Sequence, residues 1–263
     1  MSRVYDVVVL GDCLALMREM GDESVDMVIA DPPYNLDKDF GVWKESRHKA
    51  VWLQWSKEWL VEAVRVLRPG GNIFVYGIHH HLCWLQCFLY DLGMTYRRQI
   101  IWNYENGFSG YKRNLAAHYE PLLWFSKGDG YTFHAIREPY KSTERLRHKI
   151  IKNGKEWSPH PDGRLAGDVW KFPVLAGRRF AEERVNHPTQ KPLSLCRRIV
   201  AHFSNPDDLI LVPFAGSGSE CVAAKELNRR YIAYELNRDY IELALQRLAR
   251  AGTLAHEAST RRA

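Results

Sequence analysis

The sequence predicts an α/β fold built on a doubly wound, mostly parallel sheet. Two observations carry that prediction. Short β-branched runs alternate with amphipathic helical patterns along most of the chain, and the runs end abruptly in Gly- or Pro-rich turns. Strands that alternate with helices pair in parallel and are covered by those helices on both faces.

In chain order, Tyr5–Leu10 is a short apolar run that ends in Gly11-Asp12, and the helical pattern after it stops at Gly21. Val25–Ala30 reads as a strand closed by Asp31-Pro32-Pro33-Tyr34, because consecutive prolines cannot donate to a sheet ladder. A helix over Trp52–Leu67 is closed by Pro69-Gly70-Gly71. Strand Ile73–Tyr76, helix His80–Leu92 and strand Arg98–Asn103 follow. From Glu105 to Arg184 the pattern breaks into Gly, Lys, Arg, His and single aromatics, with Glu120–Ser126 the one buried-looking strand. Regularity returns with helix Leu193–Phe203, strand Leu209–Val212, a glycine turn, helix Glu220–Leu227, strand Tyr231–Tyr234 and helix Arg238–Arg250. The expected organisation is therefore an α/β domain over 1–104 and 185–250, an insertion over 105–184 and a frayed tail over 251–263.

Bulk properties narrow the class. With 263 residues, 46% hydrophobic, the chain can bury one core and carry an insertion. A net charge of +6 and a pI near 9.0 suit a polyanionic partner. Five cysteines without paired spacing argue against a disulfide framework and for a reducing, cytoplasmic setting. No apolar run approaches membrane-spanning length, so no membrane association is expected. His79-His80-His81 with Cys83 and Cys87 matches no zinc spacing, and the two cysteines read as one turn of a buried helix face. No metal site is expected.

Two turns carry chemistry. Pro213-Phe214-Ala215-Gly216-Ser217-Gly218-Ser219 joins a strand to a helix, where a glycine turn lets the backbone pass close under a ligand. The next strand ends in Glu235, at the distance where an acid reaches ribose hydroxyls. Neither the dinucleotide nor the Walker spacing is present, so an adenosine ligand without phosphate fits better. The other turn is Asp31-Pro32-Pro33-Tyr34. An exocyclic amine on a base is a poor nucleophile because its lone pair is delocalised into the ring. A carboxylate (Asp31) and a free proline carbonyl (Pro32) can hold its two N–H bonds and turn the lone pair outward. Tyr34 can stack on a base that has left the duplex. Read blandly, the first is a plain tight turn with a surface Glu at a strand end, and the second a rigid turn with a helix-capping Asp.

These segments, together with His187-Pro188-Thr189-Gln190-Lys191-Pro192, resemble the signature set of β-class DNA amino-methyltransferases, in the chain order of that class. The resemblance spans roughly residues 5–250 outside the variable middle. It implies a Rossmann-like methyltransferase fold with S-adenosylmethionine as cofactor and site-specific methylation of a flipped base in double-stranded DNA. By position, it implies that Asp12 and Cys13 contact the cofactor adenine, that Phe214, Ala215, Gly216, Ser217 and Gly218 line its ribose and methionine side, and that Glu235 holds the ribose hydroxyls. Thr189 and Lys191 would lie at the methionine end. Asp31, which also borders the cofactor, Pro32, Pro33 and Tyr34 would form the catalytic segment. Asp at position 31 leans to adenine N6, with cytosine N4 the alternative. A cognate restriction endonuclease and a homodimer are the further partners that such a resemblance brings. The chain departs from the family at Val212, where an acid is usual, and at Ser219, where Thr is common. Val212 opens a second reading, a DNA-binding subunit that kept the fold without turnover.

In the middle stretch, Lys112, Arg113, Arg145, Arg147, Lys149, Lys152, Lys155, Arg178 and Arg179 cluster with Tyr111, Tyr140, Trp157 and Trp170. As a group they suit a loop-rich DNA-contacting surface, although for any single Lys or Arg there an ordinary solvated charge is the better reading.

Overall fold

The computed structural model describes residues 5–36, 38–42, 48–104, 113 and 115–260, with side chains as far as 251. The strands are β1 (Val7–Leu10), β2 (Val25–Ala30), β3 (Leu67–Tyr76), β4 (Thr95–Asn103), β5 (Tyr119–Ser126), β6 (Arg137–Glu138), β7 (Ile150–Lys152), β8 (Lys155–Trp157), β9 (Arg164–Leu165), β10 (Val169–Lys171), β11 (Leu209–Val212) and β12 (Arg230–Glu235). The helices are α1 (Cys13–Arg18), α2 (Lys49–Val66), α3 (Leu82–Asp91), α4 (Leu193–Phe203), α5 (Ser219–Glu226) and α6 (Arg238–Thr260).

Eight strands form one sheet in the order β1-β12-β11-β2-β3-β5-β4-β10. All neighbours are parallel except β5, which runs antiparallel between β3 and β4. Both faces are covered, which explains why the strands read as unbroken apolar runs. Ile73 and Val75 face α1, α2 and α3 through Met17, Trp59, Leu60 and Leu85. Phe74 and Tyr76, one residue on, face α4, α5 and α6 through Ile199, Phe203, Val222 and Leu248.

The chain winds outward from the β2–β11 pair, toward β3 on one side and toward β12 and β1 on the other. The carboxyl ends of two such strands form a switch-point crevice, the usual ligand site of an open α/β sheet. The register settles what meets there. Leu211 pairs with Val28, so three residues further along each strand come Phe214 and Asp31, turning out of the sheet side by side.

Several expectations are corrected. Residues 105–184 are not wholly an insertion, since β5 lies inside the sheet and β10 closes its edge beside β4. Pro69-Gly70-Gly71 lies within β3 rather than ending the helix; the Gly70 N–H donates to the Lys127 carbonyl at 2.7 Å and so keeps the ladder going. Cys83 and Cys87 lie on the exposed face of α3, whose buried side is Leu82, Leu85 and Leu89. The last helix continues past Arg250 to Thr260. Among the described residues, no helix is long and apolar enough to cross a membrane, and no group of His, Cys, Asp and Glu has the arrangement of a metal site.

Candidate active site

Asp31-Pro32-Pro33-Tyr34 leaves β2 as a braced loop. The Trp52 indole donates to the Pro33 carbonyl at 2.8 Å, and His81 Nδ1 lies 2.9 Å from the Tyr34 carbonyl. No donor among the described residues reaches the carbonyl of Pro32. The Tyr34 hydroxyl donates to Asp31 Oδ1 at 2.7 Å and lies 3.3 Å from Glu120 Oε2. Lys191 Nζ lies 2.9 Å from Asp31 Oδ2 and 3.7 Å from Glu120 Oε2, above the ring of Tyr34. Burial alone would lower a lysine. Here attraction to Asp31 and then Glu120 outweighs it and carries Lys191 above its ordinary range. Burial raises Glu120, against the pull of Lys191. Burial, reinforced by Asp31, also holds Tyr34 well above a free phenol.

A cleft of about 960 Å³, open mouth included, runs from this cluster across the ends of β2, β11, β12 and β1. Asp12, Cys13, Asp31, Thr189, Lys191, Phe214, Ala215, Gly216, Ser217 and Glu235 all line it, as do Pro32, Pro33 and Tyr34. The Glu235 carboxylate accepts from the Gly216 N–H at 2.8 Å and from the Asn237 N–H at 2.9 Å. Burial raises its pKa, and these N–H donors oppose the rise. Asp12 caps α1 through the Ala15 N–H at 3.0 Å. Edge contacts with Trp55 and Trp59 hold the Phe214 ring.

The charge of the cleft selects its ligand. The carboxyls of Asp12, Asp31, Glu220 and Glu235 face it, against the amines of Lys38 and Lys191. Such a lining repels phosphate and suits an adenosine that carries positive charge.

Gly218 does not line the cleft. It caps α5 at φ +74°, where an added Cβ would lie 2.7 Å from Cβ of Ala244. This glycine permits the close approach of α5 to α6. Val212 also points away, into the apolar core beside Ile199 and Val200.

Four site residues escaped the sequence reading. Glu120 comes from the antiparallel strand, and Glu220 opens α5 in a position that reads as an ordinary first-turn acid. Arg247 donates to the Ser217 carbonyl at 2.7 Å and to Ser219 Oγ at 2.9 Å, clamping the glycine turn from α6. His187 packs against Tyr240, and burial lowers its pKa to about 4. No local pattern marks the first three; His187 stands in the 187–192 motif without an assigned role.

A second, wider cleft shares Tyr34, Lys38, His187, Thr189 and Lys191 with the first and is otherwise lined by His79, Trp102, Tyr104 and Arg184, among others. Of the expected DNA-contacting residues, Arg113, Arg147, Lys149, Arg178 and Arg179 are exposed and Arg145 is half-buried, while Lys112 and Tyr111 lie outside the described residues. Arg147 pairs with Glu144 at 2.6 Å and Lys149 with Glu156 at 2.5 Å. Trp170 is corrected from surface to core: it is buried on β10, beside Phe203. Trp157 is exposed on β8.

Comparisons with known proteins identify the family and the fold. The sequence model of the DNA methylase family matches residues 25–246. A protein named Type II methyltransferase M1.MboII, from Moraxella bovis, is 32% identical over 245 residues, covering 89% of this chain and 92% of its own. The DNA adenine methyltransferase YhdJ of Escherichia coli K12 is 33% identical, covering 92% of this chain and 82% of its own. Among solved structures, the M1.HpyAVI–SAM complex superposes with a TM-score of 0.64 at 23% identity, over 92% of this chain and 98% of that one. The PvuII DNA methyltransferase, described as cytosine-N4-specific, gives 0.66 at 16% identity, over 95% and 90%.

Proposed function

The chain belongs to the DNA methylase family, and from that premise we propose that it transfers a methyl group from S-adenosylmethionine to the N6 amino group of adenine in double-stranded DNA. The observation that carries the reading is Asp31 in the wall of the first cleft, in contact with Tyr34 and Lys191, which border both clefts.

The chain's own groups suit each part of the task. Glu235 has oxygen lone pairs left over for ribose hydroxyls, Asp12 and Cys13 lie at the far end of the cleft, and Phe214 supplies an apolar wall. When bound, the cofactor supplies an electrophilic sulfonium methyl group. Asp31 and the Pro32 carbonyl are placed to accept the two N–H bonds of the target amine and aim its lone pair at that methyl. The brace from Trp52 and His81 fixes both acceptors before the substrate arrives. Asp31 can also take the proton that the amine loses. The wider cleft admits a base flipped from the duplex, with Tyr34 and Tyr104 as stacking rings.

Outside the clefts, the β7–β8 ribbon and the turn before it carry Arg145, Arg147, Lys149, Lys152 and Lys155. Lys152 and Lys155 face each other directly across the ribbon. Like charges in that position are unfavourable for the ribbon alone and favour a polyanion beside it, and a two-stranded ribbon fits the major groove. With Arg113, Arg178 and Arg179, this surface is the proposed DNA reader within 105–184.

Adenine is favoured by Asp at position 31 and by the relative named as an adenine methyltransferase. Cytosine N4 is the competing acceptor, since the same acceptor pair would hold its amine. The alternative of a non-catalytic subunit rested on Val212, but the cleft retains four carboxyls without it. Incubation with DNA and cofactor followed by nucleoside mass spectrometry decides: N6-methyladenine is expected. N4-methylcytosine overturns the base assignment, and no methylated nucleoside overturns the activity.

A further inference from the structure

Glu220 lies in the first turn of α5, is only 4% exposed, and is among the residues that line the cofactor cleft. Among the described residues, its one side-chain hydrogen bond to another residue comes from the Cys196 thiol at 3.5 Å, a weak donor. Asp31, Glu120 and Glu220 thus act on a single buried ammonium, Lys191, which already lies against the first two. Of these three acids Glu220 is the fully buried one, and Lys191 lies in direct contact only with the other two. A buried carboxylate in that position takes up a proton or a cation.

Among the described residues no cation makes a direct ion pair with Glu220: Arg247 on α6 feels its charge, but its Nη1 donates to Ser217 and Ser219 instead. Tyr76 on β3, Cys196 on α4 and Cys221 on α5 are all raised by burial and stay neutral near pH 7. Burial, then Asp31, push Glu220 itself up to about 7, with Lys191 and the Cys196 thiol opposing.

Resting on the S-adenosylmethionine reading, we propose that Glu220 is the specificity residue that senses the cofactor's positive charge, favouring the sulfonium substrate over S-adenosylhomocysteine, whose sulfur is neutral. Entry of the cation favours the ionised carboxylate, so substrate binding expels a proton and tightens as pH rises from 6 to 8. Binding of the product lacks both effects. Glu220 thereby helps the site release what it has made.

Isothermal titration of the full chain with each ligand, in buffers of different ionisation heat, tests this. Wild-type protein should release a fraction of a proton near pH 7 on binding S-adenosylmethionine and markedly less on binding S-adenosylhomocysteine. Glu220→Gln should weaken S-adenosylmethionine roughly tenfold or more, as loss of a charged partner does. It should leave S-adenosylhomocysteine within about twofold, on the same reasoning that only the charged ligand loses a partner. Equal losses for both ligands, or proton release that persists in Glu220→Gln, overturn the proposal. If that variant fails to fold, the wild-type pH profiles decide: parallel slopes for the two ligands between pH 6 and 8 refute it. Wild-type protein that binds neither ligand would sink the cofactor reading instead.

Discussion

Lys191 Nζ stands 2.9 Å from Asp31 Oδ2, so the lysine of one sequence motif rests on the carboxylate of another. The carboxylate that follows β2 is thereby a partly buried, partnered charge, and its behaviour follows from that pairing.

Replacing Asp31 by Ala should lower kcat by about a hundredfold or more, the usual cost of losing a pre-aimed polar group at the reacting centre. DNA affinity should stay within a few-fold, because no phosphate contact is removed. Methyl incorporation and fluorescence anisotropy give the two numbers; near-normal turnover refutes the role.

Lys191→Met strips the cation from Asp31, Glu120 and Glu220. Breaking a buried pair in this way should cost about 3–5 kcal/mol at pH 8. At pH 5 the loss should shrink, because Glu220, pushed up to about 7 by burial and Asp31, is then protonated and needs no partner. Urea unfolding at both pH values is the measurement, and a pH-independent loss would contradict it.

Gly218→Ala combines a left-handed φ of +74° with a Cβ contact at 2.7 Å to Ala244. A cost of about 2–4 kcal/mol is expected from strain plus overpacking. Ala244→Gly in the same chain should recover the overpacking share only, which a double-mutant cycle of unfolding free energies would resolve.

His187 is held near pKa 4 by burial, below its ordinary 6.5. The unfolded chain therefore binds more protons between those values, and this group's contribution, complete above pH 6.5, is lost as pH falls toward 4. Glu120 and Glu220 act in the opposite sense, so a comparison of variants isolates the histidine. Chemical unfolding from pH 7 to 4.5 should show His187→Gln as less acid-sensitive than wild type; identical profiles would remove the assignment.

The two tryptophans of the middle stretch should separate cleanly. Trp170→Ala empties a core position and should cost about 3–5 kcal/mol, whereas Trp157→Ala should stay within about 0.5 kcal/mol. Replacing Lys152 and Lys155 by Gln should leave stability intact or improved and weaken DNA binding. The slope of log affinity against log salt should fall by about two if both meet phosphates. An unchanged slope would take the ribbon out of the interface.

The elements that carry chemistry were legible because their signals are local. A β-branched run ending in Asp31-Pro32-Pro33-Tyr34, or one running into Gly216-Ser217-Gly218, declares a strand and its stop within ten residues, and the order of such signals declares a doubly wound sheet. Cys83 and Cys87 show the limit of local reading, since an apolar stretch does not reveal which side of its helix is buried.

Partnership across the sheet was decided only by the tertiary structure. The antiparallel entry of β5 delivers Glu120, the Leu211–Val28 register sets Phe214 beside Asp31, and the packing of α5 on α4 and α6 buries Glu220 and brings Arg247 onto the glycine turn. Propensity and turn chemistry act over a few bonds. Burial and the pairing of charges depend on which strands become neighbours, and that is settled by how the whole chain closes its core.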